Sequence, residues 1–374
     1  MPLFNDQMNR SSDDQMSQSY NKILHRLALL TAVATFPLIF MGGLVTSHGA
    51  GMSVPDWPNS YGYNMFTFPP SQWVGGIFYE HTHRLMGTVV GMLSIALAVT
   101  AWRVEPRKWA RWLCYGVLGA VIAQGVLGGL RVVLVELDLA VVHACFAQAF
   151  FCVAAAACVV TSRWWIEAPD LSQSEAFLSG RRLIAACVVA LVAIYAQLIV
   201  GAMMRHYQAG LAVPDFPLAY GQVIPATDRQ SLQALNDHRA WRLNLPRVTE
   251  TQIWLHMGHR AGAVLVSVTV LFAFAIAMTN HRRERQLFRP AVLMIILLAA
   301  QVLLGMLTVL LRKPADIASL HVAVGALTLV TTFVLTVRAS RLYARRRETS
   351  AISTSDDDSN SLQGQRLAAA YASA

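Results

Sequence analysis

Eight long apolar segments constrain this fold more than any other feature of the sequence. Each is about 20 residues long, the length that a helix needs to cross a bilayer. In hydrocarbon the backbone must satisfy its own hydrogen bonds, so such segments fold as helices. Charged residues make up only 14% of the chain, against roughly 25% in a soluble domain. We therefore predict an all-α polytopic membrane protein. The predicted spans are residues 27–46, 80–102, 112–133, 140–160, 183–203, 253–279, 290–311 and 316–338.

Basic residues lie mainly in the connections that follow the even-numbered spans. The connection after span two holds Arg103, Arg107, Lys108 and Arg111, whereas the first odd-numbered connection, residues 47–79, has no Lys or Arg. Because positively charged loops stay in the cytoplasm, both termini are predicted to be cytoplasmic. The net charge of +9 is explained by this topology, and no nucleic-acid partner is predicted.

The two halves of the sequence repeat one another. AGMSVPDWPNSYG at residues 50–62 corresponds to AGLAVPDFPLAYG at 209–221, and EHTHRLMG at 80–87 corresponds to HMGHRAGA at 256–263. The shared features occur in the same order. Each unit holds an even number of spans, so both halves keep the same orientation. We predict two four-helix bundles related by a pseudo-two-fold axis along the membrane normal.

The repeat divides the chain into an N-terminal half at residues 25–165 and a C-terminal half at 183–340. A polar tail at 1–24 precedes the first half. A Ser- and Asp-rich tail at 348–374 follows the second and is predicted to be disordered. The first tail looks like neither a signal peptide nor an Arg-rich transit peptide. We therefore expect a multi-pass protein of a bacterial inner membrane.

Four histidines lie a few residues inside the even-numbered spans: His83 and His143 in the first half, His259 and His321 in the second. These spans all run inward from the outer face, so the four side chains are predicted to share one depth near that face. Ionisable residues within a membrane are costly and usually functional. Two imidazoles from adjacent helices could ligate a haem iron from opposite faces, with the macrocycle between the helices.

The halves differ beside the first histidine of each pair. Glu80 precedes His83 by three residues and lies on the same helix face, whereas His256 occupies the corresponding place in the second half. A carboxylate near a metal can relay protons or stabilise developing positive charge, so the halves are predicted to do different jobs. A zinc site, which needs three or four ligands, would have to recruit Glu80 and His256.

Other residues near these motifs receive weaker interpretations. Arg84 and Arg260 follow the key histidines and could pair with haem propionates or simply extend to the interface. The PDWP and PDFP segments, residues 55–58 and 214–217, are predicted to cover the two sites as lids. The histidines without a matched partner are interpreted as interfacial or loop residues: His25, His48, His81, His206, His238 and His281.

Taken in order, these motifs resemble the CtaA/Cox15 family of haem A synthases, over nearly all of residues 25–340. The segments that carry the resemblance are GGLVTSHGAGMSVPDWPNSYG, EHTHRLMG, VVHACFAQ, AGLAVPDFPLAYG, HMGHRAGA and SLHVAVGA. It implies an eight-helix bundle of two pseudo-symmetric halves that oxidises a methyl group of haem O to a formyl group, giving haem A for terminal oxidases. Some bacterial members carry a cysteine pair in an outer loop; here the outer loops, about 47–79 and 204–252, contain no Cys.

The resemblance also implies residue roles. His259 and His321 would ligate a resident haem b. His83 and His143 would form the site for substrate haem O and product haem A, with Glu80 as the catalytic glutamate. The substrate would come from haem O synthase. The surroundings would be membrane lipids, the electron donor is not identifiable, and the sequence leaves homo-oligomerisation open.

Two other functions remain open at this point. A non-catalytic b-type cytochrome with two haems would explain the four histidines, but neither Glu80 nor the difference between the halves. A repeat-built transporter would explain the duplication. Transporters tend to have broken helices and polar residues at the midplane, however, and the polar residues here lie at the outer ends of unbroken spans.

Overall fold

A computed structural model describes residues 20–343. The tail predicted at 348–374 lies outside this range, as do residues 1–19 of the tail predicted at 1–24. The described residues contain no β-strand, and their only β-type pairs are isolated bridges, Ser60 with Tyr63 and Ala219 with Gln222. The predicted all-α class is therefore confirmed.

Within residues 20–343, eight helices are long and apolar enough to cross a membrane. They are α1 Lys22–Ser47, α2 Gly76–Val104, α3 Lys108–Leu134, α4 Leu137–Val160, α5 Phe177–His206, α6 Glu250–Asn280, α7 Arg285–Leu310 and α8 Ala315–Tyr343. Every predicted span lies inside its helix, except that α7 ends one residue before the predicted limit. Short helices at Arg163–Glu167 and Arg229–His238 lie in the connections on either side of α5.

Polar caps, and not the limits of the apolar runs, set several helix ends. The side chain of Asn21 accepts hydrogen bonds from the N–H groups of Ile23 and Leu24, both at 3.0 Å, so α1 begins five residues before the predicted span. Thr249 and Gln252 form a capping box at the start of α6. Such caps satisfy the free N–H groups of a first turn.

The helices pack in the same order in each half. In the first half α1 contacts α2, α2 contacts α3, α3 contacts α4, and α4 contacts α1. The helices α5 to α8 repeat this ring, and the halves meet through α1 and α4 on one side and α5 and α8 on the other. In α8, 61% of the most apolar stretch is buried, against 17% in α3 and α7, which makes α8 the central helix. The pseudo-two-fold axis and the side of the membrane on which the termini lie stay predictions.

Each half has its own apolar core. Buried residues of the first half cluster around Leu97, and those of the second around Leu335. A small cluster of Ile39, Phe151 and Ala326 joins α1, α4 and α8 across the halves. In a bilayer such contacts stabilise through close van der Waals packing, since lipid tails are as apolar as the side chains.

The connections after α1, α3, α5 and α7 meet at one end of the bundle, which we call the loop end. The hydroxyl groups of Ser47, at the end of α1, and Ser319, near the start of α8, are 2.9 Å apart. Arg131, near the end of α3, donates to the carbonyl of Gly51 at 3.0 Å. Arg205, near the end of α5, donates to the hydroxyl of Ser47. The bonds of Ser47 with Ser319 and Arg205 join the two halves at the loop end, and the bond of Arg131 ties the first loop to α3.

Candidate functional site

The four predicted histidines all lie near the loop end. His83, His143, His259 and His321 follow the first residues of α2, α4, α6 and α8 by six to nine positions. At 1.5 Å per residue this is roughly 9–14 Å along each helix. The fold therefore brings all four side chains to the same end of the bundle.

Each of these imidazole rings packs on a glycine of the preceding helix. The pairs are His83 on Gly42, His143 on Gly128, His259 on Gly201 and His321 on Gly305. A Cβ atom added at any of these glycines would lie only 3.0–3.1 Å from the ring carbon Cε1. A larger residue would have to displace the ring, so the glycine fixes where each imidazole lies.

The second pair has the spacing that one shared metal atom requires. The ring centres of His259 and His321 are 6.4 Å apart, and the ring planes are inclined by 69°. Metal–imidazole bonds are about 2 Å long, so rings on opposite faces of one iron have centres about 6 Å apart. The protein alone holds these two rings at that spacing.

The histidine nitrogens also suit a ligand. Within residues 20–343, the Nδ1 atoms of His83, His143 and His321 are buried and have no hydrogen-bond partner, while Nε2 of His321 lies 3.4 Å from the amide Nε2 of Gln301. Leaving a buried polar atom unpaired costs about 1–3 kcal/mol, so such atoms cluster where something else binds. The unpaired nitrogens and the glycine contacts together fit a flat, iron-bearing group between the helices.

Glu80 is buried, with 4% of its surface exposed, and links α2 to the first outer loop. Its Oε1 forms an ion pair with Arg84 at 2.8 Å, and its Oε2 accepts from the N–H of Val54 at 2.9 Å. In the second half His256 is equally buried, and its Nδ1 lies 3.0 Å from the carbonyl oxygen of Ala209. Both residues fasten a helix to its loop, but only the first half provides a carboxylate here.

The two arginines beside the histidines bind the outer loops. Arg84 donates to the carbonyl groups of Val54 at 2.7 Å, Asp56 at 2.7 Å and Asn59 at 2.9 Å. Arg260 binds three carbonyl groups of the second loop in the same way. Their guanidinium groups thus hold the loops, and the interpretation as propionate partners stays a prediction.

The first loop folds down onto α3 beside the site. The indole ring of Trp57 lies so close to Gly129 that an added Cβ would be 2.4 Å from it. Gly129 is the neighbour of Gly128, on which His143 packs.

The carboxyl group of Asp56 in the first loop has a lowered pKa. Burial raises the pKa of Asp56, but hydrogen bonds from the N–H groups of Gly62 and Tyr61 outweigh this, and the pKa is lowered overall.

Two histidines interpreted as interfacial or loop residues are in fact buried. His81 is fully buried, with ring centres 5.0 Å from Phe68 and 4.6 Å from Trp73. His281 is 1% exposed, and its Nδ1 lies 3.1 Å from the hydroxyl of Tyr343. His81 lies within α2, under Phe68 and Trp73 of the first loop, so it is a helix residue and not a loop residue. His281 does lie in the connection between α6 and α7, as interpreted, but the last residue of α8 covers it.

The zinc alternative is not supported. Across residues 20–343 no group of three or more His, Cys, Asp or Glu side chains could hold a metal ion, so Glu80 and His256 complete no such site. The five cysteines are free thiols.

Sequence reasoning missed three residues of the site: Gly42, Gly201 and Gln197. The two glycines could have been found, since each lies eight residues before an Ala-Gly pair that opens the repeated loop motif. Gln197 could also have been found, since it lies four residues before Gly201 in an Ala-Gln-x-x-x-Gly pattern that recurs with Gln124 and Gly128 and with Gln301 and Gly305; only the position before Gly42 has Leu38 instead. Its amide Nε2 lies 3.1 Å from Nδ1 of His259 and donates to that residue's carbonyl at 2.7 Å.

Known proteins resemble this chain in sequence along most of its length. Residues 25–334 match the profile of COX15-CtaA, described as a cytochrome oxidase assembly protein. A heme A synthase of Shouchella clausii (strain KSM-K16) is 28% identical over 293 residues, which cover 78% of this chain and 88% of the relative. A heme A synthase of Bacillus cereus (strain 03BB102) is 26% identical over 304 residues, covering 79% and 86%. The chain therefore belongs to the COX15-CtaA family of cytochrome oxidase assembly proteins.

Proposed function

We propose that this chain is a haem A synthase, an oxidoreductase that converts a methyl group of haem O into the formyl group of haem A. The similar proteins are named as heme A synthases, which gives no support to a non-catalytic cytochrome. The observation that carries the proposal is the asymmetry of the two sites. The buried carboxylate of Glu80 lies one helical turn before His83, whereas an imidazole, His256, precedes His259.

In this proposal His259 and His321 hold a resident haem b. Their 6.4 Å spacing suits two ligands on one iron, and Gly201 and Gly305 fix the rings from behind. Bound haem b supplies one-electron transfer, with a potential that depends on its axial ligands and their hydrogen bonds. The electron donor lies outside the chain.

His83 and His143 bind the iron of substrate haem O and later of product haem A. Their rings pack on Gly42 and Gly128 in the same manner as the second pair. The first outer loop covers the site, because the indole of Trp57 lies on the glycine next to Gly128. A covered site keeps water away from a reacting group.

Glu80 acts on protons in the first half. Two successive hydroxylations of the methyl group, with an oxidant and an oxygen source that come from outside the chain, give a geminal diol, which loses water to leave the formyl group; this last step requires protons to leave one hydroxyl group and reach the other. A carboxylate at this place can accept them at Oε1 or Oε2, and its charge can stabilise positive charge that develops on the substrate. The contacts with Arg84 and Val54 hold the carboxylate in position.

We further propose that the loop end faces the periplasm of a bacterial inner membrane, since the first outer loop, residues 47–79, has no Lys or Arg. Haem O would then be delivered within the membrane by haem O synthase. The chemistry would take place near the outer surface.

One experiment tests the function directly. The chain is expressed in a membrane that contains a source of haem O, and the extracted haems are separated by chromatography. We expect haem A and its hydroxylated precursor, both absent from the same host without the chain. If folded, haem-bearing protein yields neither, the proposed function is overturned.

A further inference from the structure

The contacts on the ring nitrogens differ between the two histidine pairs. In the second half Gln197 lies beside His259, and the amide Nε2 of Gln301 lies 3.4 Å from Nε2 of His321, whereas in the first half Gln124 reaches only the backbone carbonyl of His143. The amide Nε2 of Gln197, in α5, lies 3.1 Å from Nδ1 of His259 and donates to the carbonyl of His259 at 2.7 Å. The corresponding Nδ1 atom of His83 is buried and has no partner in the described part of the chain. The two rings are otherwise held alike, each on a glycine of the preceding helix.

The difference arises at one matched position. Gln197 lies four residues, about one helical turn, before Gly201, on which His259 packs. At the same distance before Gly42, on which His83 packs, the chain has Leu38. Leu38 packs against the apolar core of the first half, and its side chain has no group that could bind a ring nitrogen; only its backbone interacts with the ring of His83.

The two halves also differ at a second matched position, which lies three residues after the first histidine of each pair. Gly262 lies three residues after His259, and a Cβ atom there would be 2.1 Å from Oε1 of Gln197. Only glycine leaves room for the amide at this point. The residue three positions after His83 is Met86. The second half thus combines an amide with the space it needs, and the first half replaces both by large apolar side chains.

The amide has a direct effect on a metal-bound imidazole. A histidine that ligates a metal usually donates its other ring N–H to an acceptor, which fixes the ring and raises its basicity. Loss of such a partner typically costs 10–100-fold in metal affinity. The Gln197 amide makes two contacts with His259 through one atom: its Nε2 donates to the carbonyl of His259 and lies 3.1 Å from Nδ1, which holds the ring and the backbone of His259 together. A leucine side chain can make neither contact.

We propose that Gln197, accommodated by Gly262, makes the C-terminal pair a retaining haem site, whereas Leu38 and Met86 leave the N-terminal pair able to release its haem. This inference rests on the proposed function, because a synthase must keep its electron-transfer haem and yet release each product. Gln197 is therefore a positioning residue for His259. It decides which of two similar sites holds a cofactor and which exchanges an iron porphyrin.

Haem release tests the inference without turnover. H83A protein, which keeps only the C-terminal pair, is mixed with excess apomyoglobin, and transfer of haem b is followed by absorbance. We expect Q197L in this background to release haem b at least about 10-fold faster, and its reduction potential to shift. The matched control is Q124L, because Gln124 binds only the backbone carbonyl of His143, at 3.2 Å. It should leave both quantities unchanged.

Q197L could release haem faster simply because it misfolds, so the opposite substitutions are made in the first half as a second test. In H259A protein, which keeps the N-terminal pair, L38Q combined with M86G should slow haem release by a similar factor. Unchanged release and potential in Q197L, or unchanged release in L38Q/M86G, would overturn the inference. Haem A formation by the wild type is measured separately. If it occurs while the release rates do not respond, the inference fails and the proposed function stands; if it does not occur, the function itself fails.

Discussion

His259 and His321 hold their ring centres 6.4 Å apart, although they belong to different helices, α6 and α8. The glycines that position them, Gly201 and Gly305, come from two further helices, α5 and α7. All four helices of the half therefore contribute to this spacing. A pair held in this way needs little rearrangement when iron binds between the rings, which favours tight binding.

The first prediction concerns the assignment of the two pairs. H259A or H321A should remove most of the haem b from purified protein, because each substitution leaves the iron with one protein ligand. H83A should retain it, since that ring belongs to the substrate site. The reduced-minus-oxidised absorbance spectrum per milligram of protein measures this. If H83A lost haem b and H259A kept it, the roles of the two halves would be exchanged.

The second prediction concerns Glu80. E80Q keeps the shape of the side chain but removes the negative charge, so haem A formation should fall below detection while the haem b spectrum stays. A matched control is E105Q at the other end of α2. Glu105 is also buried and pairs with Arg107 at 2.7 Å. Breaking either buried pair costs about 3–5 kcal/mol of stability, so thermal unfolding should be affected alike. Wild-type amounts of haem A from E80Q would refute the proposed role.

The third prediction tests the glycine contacts. In G201A the new Cβ would lie 3.1 Å from Cε1 of His259, so the ring must shift, and the haem b absorbance bands should shift with it. In G42A the crowded ring is His83, so haem A yield should fall while the haem b bands stay. Gly116, on α3 and twelve residues before Gly128, faces open space away from the rings, and G116A should change neither quantity. Equal effects of all three substitutions would mean that the contacts do not position the rings.

The fourth prediction concerns the cover over the first site. In G129A the added Cβ would overlap the indole of Trp57, so the ring has to leave α3. Overpacking of this kind typically costs about 1–3 kcal/mol. We expect faster proteolysis of the first outer loop and less haem A. G119A, on the same helix but in open space, is the control. Unchanged loop protection in G129A would show that Trp57 does not anchor the loop.

The spans could be predicted from the sequence because a helix in a bilayer satisfies its own backbone, so local composition determines it. The repeat predicted that the four histidines lie at one end of the bundle, because each half has four spans and therefore the same orientation. His81 and Trp57 were different. Their surroundings depend on how the first outer loop folds onto α2 and α3, a long-range contact that no local pattern encodes. The role of Gln197 was hidden because it requires both a residue on α5 and the absence of a side chain at Gly262 on α6.

The last prediction concerns pH and the first outer loop. The carboxylate of Asp56 accepts from the N–H groups of Tyr61 at 2.8 Å and Gly62 at 2.9 Å, and its pKa is lowered. A lowered pKa in the folded state means that the carboxylate stabilises the turn above about pH 4, the ordinary aspartate value, and that this is lost as the pH falls through the lowered pKa. Exchange of these two amide hydrogens, corrected for intrinsic rates, should therefore stay constant from pH 8 to about 5 and rise only below about 4. D56N should exchange about 10-fold faster throughout, since hydrogen bonds to a charged group are worth about 1.5 kcal/mol or more. The control is D215N, in the matching turn of the second loop, which should leave the exchange rates of the Tyr61 and Gly62 amides unchanged. If these rates in the wild type rose between pH 7 and 5, the lowered pKa of Asp56 would be contradicted.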